Sequence, residues 1–506
     1  MMRATRILFA MATVIRLWSF ANLVPIPVAF LYDERDLPLW GVAVPAAAVA
    51  FLASFFIATM VWVPLRFLTR RAVDEDLNDR EAYLTVALGW LLIALFAMMP
   101  FLLLGAFRTP VDAYFEAMSG LTTTGMSTLS QIDDAPRSLL FFRGFLQWIG
   151  GLGIIVLMVA LLFRLTHGGV RLFQAESAGH STRIRPKLRE TARTLWLMYA
   201  AITLGAAATL AVLFTAHLGM GLEDASFYGL LYGMSAFSTG GFAPHGASVS
   251  AFDSAALEAV LVVLMLAGAT NFSLVFLAVR RLQVRPLLRS IEWRFFIAVY
   301  GVAFAVGVLI LATHGWGPLQ AVREAAFNVA SIYTGTGFAS ADYAAWPPAG
   351  LLLLLFLMFA GGMAGSTAGA IKSVRWLILF KIVTRELRRL LHPRAVIPVR
   401  LGDRIIEERT VSTVVAFFLT YMILWAAGAG LLVTLQPGLG VFDGSALAAS
   451  AIGNVGGGLG VAGPFASPGV PGFEPATKAV LMTLMWLGRL ELFTALLLFL
   501  PQSWRN

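Results

Sequence analysis

The 506-residue sequence contains no cysteine. That excludes disulfides and every metal site built on thiolates. Its six histidines show no metal-ligand spacing. Charge is also scarce: Asp, Glu, Lys and Arg make up 13% of the residues, while 59% are hydrophobic and the mean hydropathy is +0.80. No ordinary soluble domain has that balance. A membrane-embedded enzyme, such as a lipid-linked transferase, would need acidic or histidine pairs at a membrane surface, and no such pair recurs. The net charge of +9 is not a nucleic-acid signal, because the basic residues sit in a few loops. Many apolar runs of about 20 residues are long enough to cross a bilayer. The first follows Arg3 and Arg6 and carries no convincing signal-peptidase site at Phe20-Ala-Asn-Leu-Val-Pro25, so it reads as a retained helix.

What is present is one short stretch written four times: Ser119-Gly-Leu-Thr-Thr-Thr-Gly125, Ser235-Ala-Phe-Ser-Thr-Gly-Gly241, Ser331-Ile-Tyr-Thr-Gly-Thr-Gly337 and Ser450-Ala-Ile-Gly-Asn-Val-Gly456. In each, a Ser stands six residues before a Gly and an apolar residue (Leu121, Phe237, Tyr333, Ile452) stands four before it. Such a stretch favours neither helix nor strand, yet each copy lies between long apolar segments. Irregular backbone at membrane depth survives only when packed in protein or lining a water-filled path. Four copies point to four arcs of one ring, and a ring of backbone carbonyls replaces the hydration shell of a monovalent cation. The expected filter residues are Thr122, Thr123, Thr124 and Gly125; Ser238, Thr239, Gly240 and Gly241; Thr334, Gly335, Thr336 and Gly337; and Gly453, Asn454, Val455 and Gly456. Their role is that of backbone, with glycine supplying unusual dihedrals. Thr123, Thr239 and Asn454 either add oxygen ligands or brace the loops.

The expected fold class is an all-α polytopic membrane protein with four pseudo-symmetric helix–pore-loop–helix repeats around a central pore, plus an N-terminal helical hairpin. Residues 1–79 hold the hairpin, with helices from about Ile7 to Leu31 and Leu39 to Val63. Repeats follow at 80–190, 191–290, 291–405 and 406–506. Each has a long outer helix, a short helix, the Gly loop and a long inner helix. The inner helices are expected at about Leu139–Leu165, Ala255–Val279, Ala349–Leu390 and Ala476–Leu500. An acid lies thirteen residues before the Gly in three copies (Asp112, Glu324, Asp443), where it complements a helix start. The opposite, partly negative helix ends then aim at the loops and favour a cation. The segments Arg164–Arg193, Arg280–Arg294 and Lys372–Arg409 are basic, whereas Ala243–Glu258 and Ala339–Gly350 hold no Lys or Arg. The basic side is therefore cytoplasmic and the Gly loops open outward.

The third inner helix is too long for a bilayer and is interrupted by Gly361-Gly-Met-Ala-Gly-Ser-Thr-Ala-Gly369. The expectation is a break just below the ring, at Gly361, Gly362, Gly365, Ser366, Thr367 and Gly369. Arg489 is a lone charge within the last apolar run, costing about 2.5–3.5 kcal/mol on insertion scales. Glu491, two residues on, does not share its helix face, so Arg489 is expected at the pore, in reach of the interrupted segment. Lys372 reads equally as an anchor of that segment or as a positive-inside residue. Asn271 and Gln147 either brace it or make plain interhelical hydrogen bonds. No carboxylate within the spans stands out as a proton relay.

Leu121-Thr-Thr-Thr-Gly125, Trp148-Ile-Gly-Gly-Leu-Gly153, Ser238-Thr-Gly-Gly-Phe242, Gly335-Thr-Gly-Phe338, Gly361–Gly369, Asn454-Val-Gly456 and Gly488-Arg-Leu-Glu491 together resemble the TrkH/TrkG/KtrB superfamily of potassium transporters, over nearly the whole chain. The leading hairpin is similar to that of the TrkH branch. The resemblance implies potassium uptake across a bacterial inner membrane, with K+ at the filter carbonyls, both termini cytoplasmic and no enzymatic activity. It assigns Gly361–Gly369 the role of gate. It also implies a homodimer in the lipid bilayer, with a cytoplasmic TrkA-like subunit that carries any nucleotide, so that this chain itself holds no organic cofactor. Gly125 favours potassium, since relatives with Ser there tend toward sodium; a sodium-conducting or potassium/sodium symporting member is the alternative.

Overall fold

The computed structural model describes residues 4–33, 37–39, 42–70, 77–164, 188–402, 404–466 and 469–503. Helices Ala4–Ala21 and Pro25–Tyr32 form one apolar stretch, Ala4–Tyr32, bent where Pro25 lacks an amide hydrogen. The second hairpin helix spans Ala46–Leu68, not Leu39–Val63. Residues Leu37–Leu39 and Val42–Val44 instead pair as an antiparallel ribbon. The reason is local: Leu37 and Val44 each precede a proline, and a residue before proline is driven to extended backbone.

The outer helices of the four repeats are Asp79–Leu103, Leu188–Leu218, Ile291–Thr313 and Glu408–Leu435. The first starts on a reciprocal cap: Asn78 Oδ1 accepts from Glu81 N (2.8 Å) and Glu81 Oε2 from Asn78 N (2.9 Å). Among the described residues six helices are long and apolar enough to cross a membrane, or seven if the bent C-terminal pair counts as one span. The short helices are Pro110–Leu121, Leu222–Phe237, Pro318–Tyr333 and Val441–Gly453, and their C-terminal turns are fully buried. Asp112 and Asp443 lie in first turns. Glu324 does not: it is one turn further in, where it accepts from Trp346 Nε1 (3.1 Å).

Three inner helices are broken, where one break was expected. The first, Arg137–Arg164, is continuous. The second stops at Gly268 and restarts at Phe272, because Asn271 caps the new helix by accepting from Ser273 N (3.0 Å) and Leu274 N (3.3 Å). The third divides into Pro348–Leu357 and Ser373–Leu391, with the expected interruption between them. The fourth is not one helix over Ala476–Leu500. Pro475–Arg489 ends in left-handed residues at Glu491 (φ 53°) and Leu492 (φ 55°), and the chain turns by 112° into Phe493–Phe499. Most of the basic segment Arg164–Arg193 lies outside the described residues, as do residues 34–36 and 74–76 of the two early polar links.

Ion pairs link neighbouring repeats: Arg137 with Asp224 (2.5 Å), Arg323 with Glu258 (2.9 Å) and Lys478 with Asp112 (2.5 Å). They join repeat 1 to 2, 2 to 3 and 4 to 1.

Candidate functional site

The four Gly loops share one backbone construction. At the end of each short helix the amide five residues after the Ser donates to the Ser carbonyl: Thr124 N to Ser119 O (2.9 Å), Gly240 N to Ser235 O (2.8 Å), Thr336 N to Ser331 O (2.8 Å) and Val455 N to Ser450 O (2.9 Å). The preceding amide bonds three residues back in all four, from Thr123 N to Gly120 O (3.0 Å) through Asn454 N to Ala451 O (3.2 Å). This crossed pair ends a helix with a left-handed residue. Thr123 (φ 53°), Thr239 (φ 53°), Gly335 (φ 71°) and Asn454 (φ 52°) occupy that place, and the loop glycines two residues on are left-handed again, with φ of 82–86°. The Ser in the repeated stretch thus contributes its carbonyl in every copy.

These loops meet in chain order and close on themselves. A Cβ added to Gly125 would lie 2.2 Å from Gly240 O; one on Gly241, 1.9 Å from Thr336 O; one on Gly337, 2.3 Å from Val455 O; one on Gly456, 1.9 Å from Thr124 O. Each glycine therefore abuts the carbonyl that precedes the next glycine around a ring. All four glycines line the floor of a cavity of about 800 Å³, which the segments after the loops enclose.

Side chains hold the ring from behind. Thr122 and Thr124 hydroxyls lie 2.8 Å apart, and those of Thr334 and Thr336 lie 2.7 Å apart. Asn454 Nδ2 donates to Thr124 Oγ1 (3.1 Å) across the seam and to Met485 O (2.9 Å) on the inner helix behind it. That contact is a brace. Gln147 braces too, but its target is the second loop and not the interrupted segment. Its Nε2 donates to Gly240 O (2.6 Å), and its Oε1 accepts from Ser235 Oγ (2.8 Å) and Phe242 N (3.1 Å). Glycines of three inner helices let them press on the short-helix ends: a Cβ on Gly150, Gly268 or Gly488 would lie 2.0, 2.5 or 1.9 Å from Leu121, Phe237 or Ile452 O.

Directly beneath the ring lies the segment between Leu357 and Ser373. Its base is tied by Gly361 N to Ile371 O (2.9 Å) and Ser373 N to Gly362 O (3.0 Å). It interlocks with the break in the second inner helix. Met363 N donates to Ala269 O (2.8 Å), Phe272 N to Gly365 O (3.0 Å) and Asn271 Nδ2 to Ala364 O (2.7 Å). Thr367 is its apex: Oγ1 donates to Gly268 O (2.9 Å) and stands 3.2 Å from Thr239 Oγ1. Gly369 packs on repeat 4, where an added Cβ would meet Gly453 O at 2.2 Å. Ser366 is buried and donates to Met363 O (2.6 Å).

Arg489, 2% exposed, reaches this segment as expected. Nη1 donates to Thr367 O (2.7 Å) and Nη2 to Gly150 O (3.0 Å), so one guanidinium joins repeats 4, 3 and 1. Glu491 pairs instead with Arg375 (2.5 Å). Lys372 is buried, not a solvated flanking residue, and its Nζ donates to Ala368 O inside the segment.

Several buried groups escape sequence reasoning. Arg143 Nε donates to Glu116 Oε1 (2.7 Å) with both residues buried, and Glu116 Oε2 also accepts from Thr128 N (2.8 Å). A lone Arg within an apolar run is the signal that singles out Arg489, and it applies equally to Arg143. Two further carboxylates, Glu116 in the first short helix and Glu292 in the first turn of the third outer helix, are fully buried. Both are engaged with fixed donors. Among the described residues no group of three His, Cys, Asp or Glu could hold a metal.

The family model TrkH, cation transport protein, matches residues 48–506. The chain is 36% identical over 500 residues to the Trk system potassium uptake protein TrkH of Escherichia coli K12, and 97% of each chain is covered. Against the protein of the same name from Vibrio parahaemolyticus the identity is 38% over 499 residues, again with 97% of each covered. The Trk system potassium uptake protein TrkG of Escherichia coli K12 is 33% identical, over 97% of this chain and 96% of that one. Among solved structures, the crystal structure of the potassium transporter TrkH from Vibrio parahaemolyticus matches with a TM-score of 0.85 and 33% identity, covering 100% of both chains.

Proposed function

Because the chain belongs to the TrkH family of cation transport proteins, we propose that it takes up potassium through a gated pore whose filter is the ring of four Gly loops. The observation that carries this reading is the closed, ordered contact of Gly125, Gly241, Gly337 and Gly456 with the carbonyl of the next loop. Alternating left- and right-handed residues send successive amides to one side of a strand and carbonyls to the other. Each four-residue arc has left-handed residues at its second and fourth positions. The short helices direct their partly negative ends at the same ring.

The segment 358–372 is the gate. It stands under the ring, anchored by Thr367 and Arg489, and no continuous helix fixes it. Uptake runs down the membrane potential, worth about 2.3 kcal/mol per charge per 100 mV. The chain works in a bacterial inner membrane as a homodimer, with both termini in the cytoplasm and a TrkA-like nucleotide-binding subunit on the cytoplasmic side. Sodium conduction or potassium/sodium symport by the same ring is the second reading, and Gly125, where a side chain would reshape the ring, speaks against it.

The test is flux of potassium, rubidium, sodium and lithium into proteoliposomes holding the purified chain, with and without an imposed potential. Potassium and rubidium passing ahead of sodium is the expected outcome. Equal sodium flux overturns the potassium assignment. If the chain alone is silent, deleting residues 361–369 is expected to release flux, and silence after deletion overturns the pore.

A further inference from the structure

Glu292 is fully buried, and nothing about the ring accounts for it. It stands in the first turn of the third outer helix, whose start is capped separately: Ser290 Oγ accepts from Trp293 N (3.2 Å). Glu292 Oε1 accepts two backbone hydrogen bonds, from Ala364 N (2.8 Å) and from Val374 N (3.1 Å). Those amides are ten residues apart in sequence. Ala364 belongs to the segment beneath the ring. Val374 belongs to the first turn of the helix Ser373–Leu391 that leaves it.

The amides of a helix's first turn have no acceptor within the helix. Here the residue at the cap position, Lys372, makes no side-chain cap bond. The missing acceptor comes from a different helix. A carboxylate also complements the positive end of the helix dipole better than a neutral cap does. One oxygen therefore pins both the descending arm of the segment and the helix beyond it, and it does so only while Ala364 and Val374 stay together. Arg489 grips the apex at Thr367 O. The segment is thus held between a buried anion at its shoulders and a buried cation at its tip.

We propose that Glu292 is a positioning residue of the gate, whose carboxylate clamps segment 358–372 in the shut arrangement. The proposal rests on the reading of that segment as a gate. A displacement of the segment that parts Ala364 N from Val374 N breaks the clamp, so the clamp stabilises the present arrangement over any such displaced one. A plain helix cap would stabilise both alike.

The experiment uses rubidium flux through the full chain in proteoliposomes, comparing wild type, Glu292→Gln, Glu292→Asp and Arg489→Gln. Glu292→Gln keeps the shape and removes the charge. Glu292→Asp keeps the charge and withdraws it by one methylene, so it cannot reach both amides. The second readout is the rate at which a membrane-impermeant thiol reagent labels Ala364→Cys, which would be the only thiol in a chain without cysteine.

Expected for both Glu292 variants is a flux increase of about tenfold, the ratio that one lost charge-assisted hydrogen bond produces. Faster labelling at position 364 and an unchanged preference for rubidium over sodium accompany it. If Arg489→Gln raises flux while either folded Glu292 variant keeps wild-type flux and labelling, the clamp is overturned and the gate stands. If neither Arg489→Gln nor the Glu292 variants raise flux, the gate reading itself fails. A changed ion preference in Glu292→Gln would place the residue with the filter and also overturn the clamp.

Discussion

Gly241 has no room for a side chain. A Cβ there would stand 1.9 Å from Thr336 O, and the backbone is left-handed at φ 82°. The dihedral alone costs about 1–2 kcal/mol for any other residue. The steric conflict adds to it by pushing one carbonyl of the ring aside. Gly241→Ala is expected to fold and to lose most of its discrimination between rubidium and sodium, read as the ratio of their fluxes in one liposome preparation. Arg143 poses the opposite case, a side chain that cannot be removed alone. Arg143→Leu leaves Glu116 as an unpaired buried charge, for which the expected loss is about 3–5 kcal/mol. Thermal unfolding in detergent measures it, and Arg143→Leu with Glu116→Leu is expected to recover part of the loss.

At the scale of elements, the ring and the segment 358–372 are braced by different side chains, so the two separate experimentally. Gln147 touches the second loop at three points and the segment 358–372 at none that the structure records. Gln147→Leu is expected to reduce ion discrimination without releasing flux in the chain alone. Asn271→Ala removes a helix cap worth about 1 kcal/mol and the bond to Ala364 O; the expectation is the reverse, more flux with discrimination retained. Paired measurements of flux and of the rubidium-to-sodium ratio check both.

The same elements show what was legible beforehand. The loops were, because Ser, Thr and Gly interrupt apolar runs at a fixed spacing. The break at Gly361–Gly369 was, because its run exceeds the bilayer. The break at Ala269–Asn271 was not: Ala-Gly-Ala-Thr is tolerated within a membrane helix, and what holds it open, beside the Asn271 cap, is hydrogen bonding to Met363 and Gly365, residues nearly a hundred positions away. The turn at Leu490–Leu492 was less legible still. Leu-Glu-Leu holds no helix breaker, and the residues there are placed by the partner of Glu491 on another repeat. Glu292 is invisible for a like reason: an acid in a first helical turn looks like a local cap, and its true acceptor role is seen only when the third repeat is folded.

For the molecule as a whole, the pore reading makes a thermodynamic prediction that no single residue does. A passive conductor can accumulate its ion only to the ratio set by the potential, about 50-fold at 100 mV for one charge. Rubidium retained in liposomes at an imposed potential is expected to approach that ratio and stop there. Accumulation beyond it would require a second ion moving with the first.

The ring itself belongs to one chain. Its four arcs carry three residue types at matching places: Thr123, Thr239, Gly335 and Asn454. In an assembly of four identical subunits a single codon change alters every quadrant together, and a harmful change has no intact remainder to lean on. Here a single codon edits one quadrant and leaves three as they were. On the filter reading, ion preference is adjustable in quarter steps, one arc at a time.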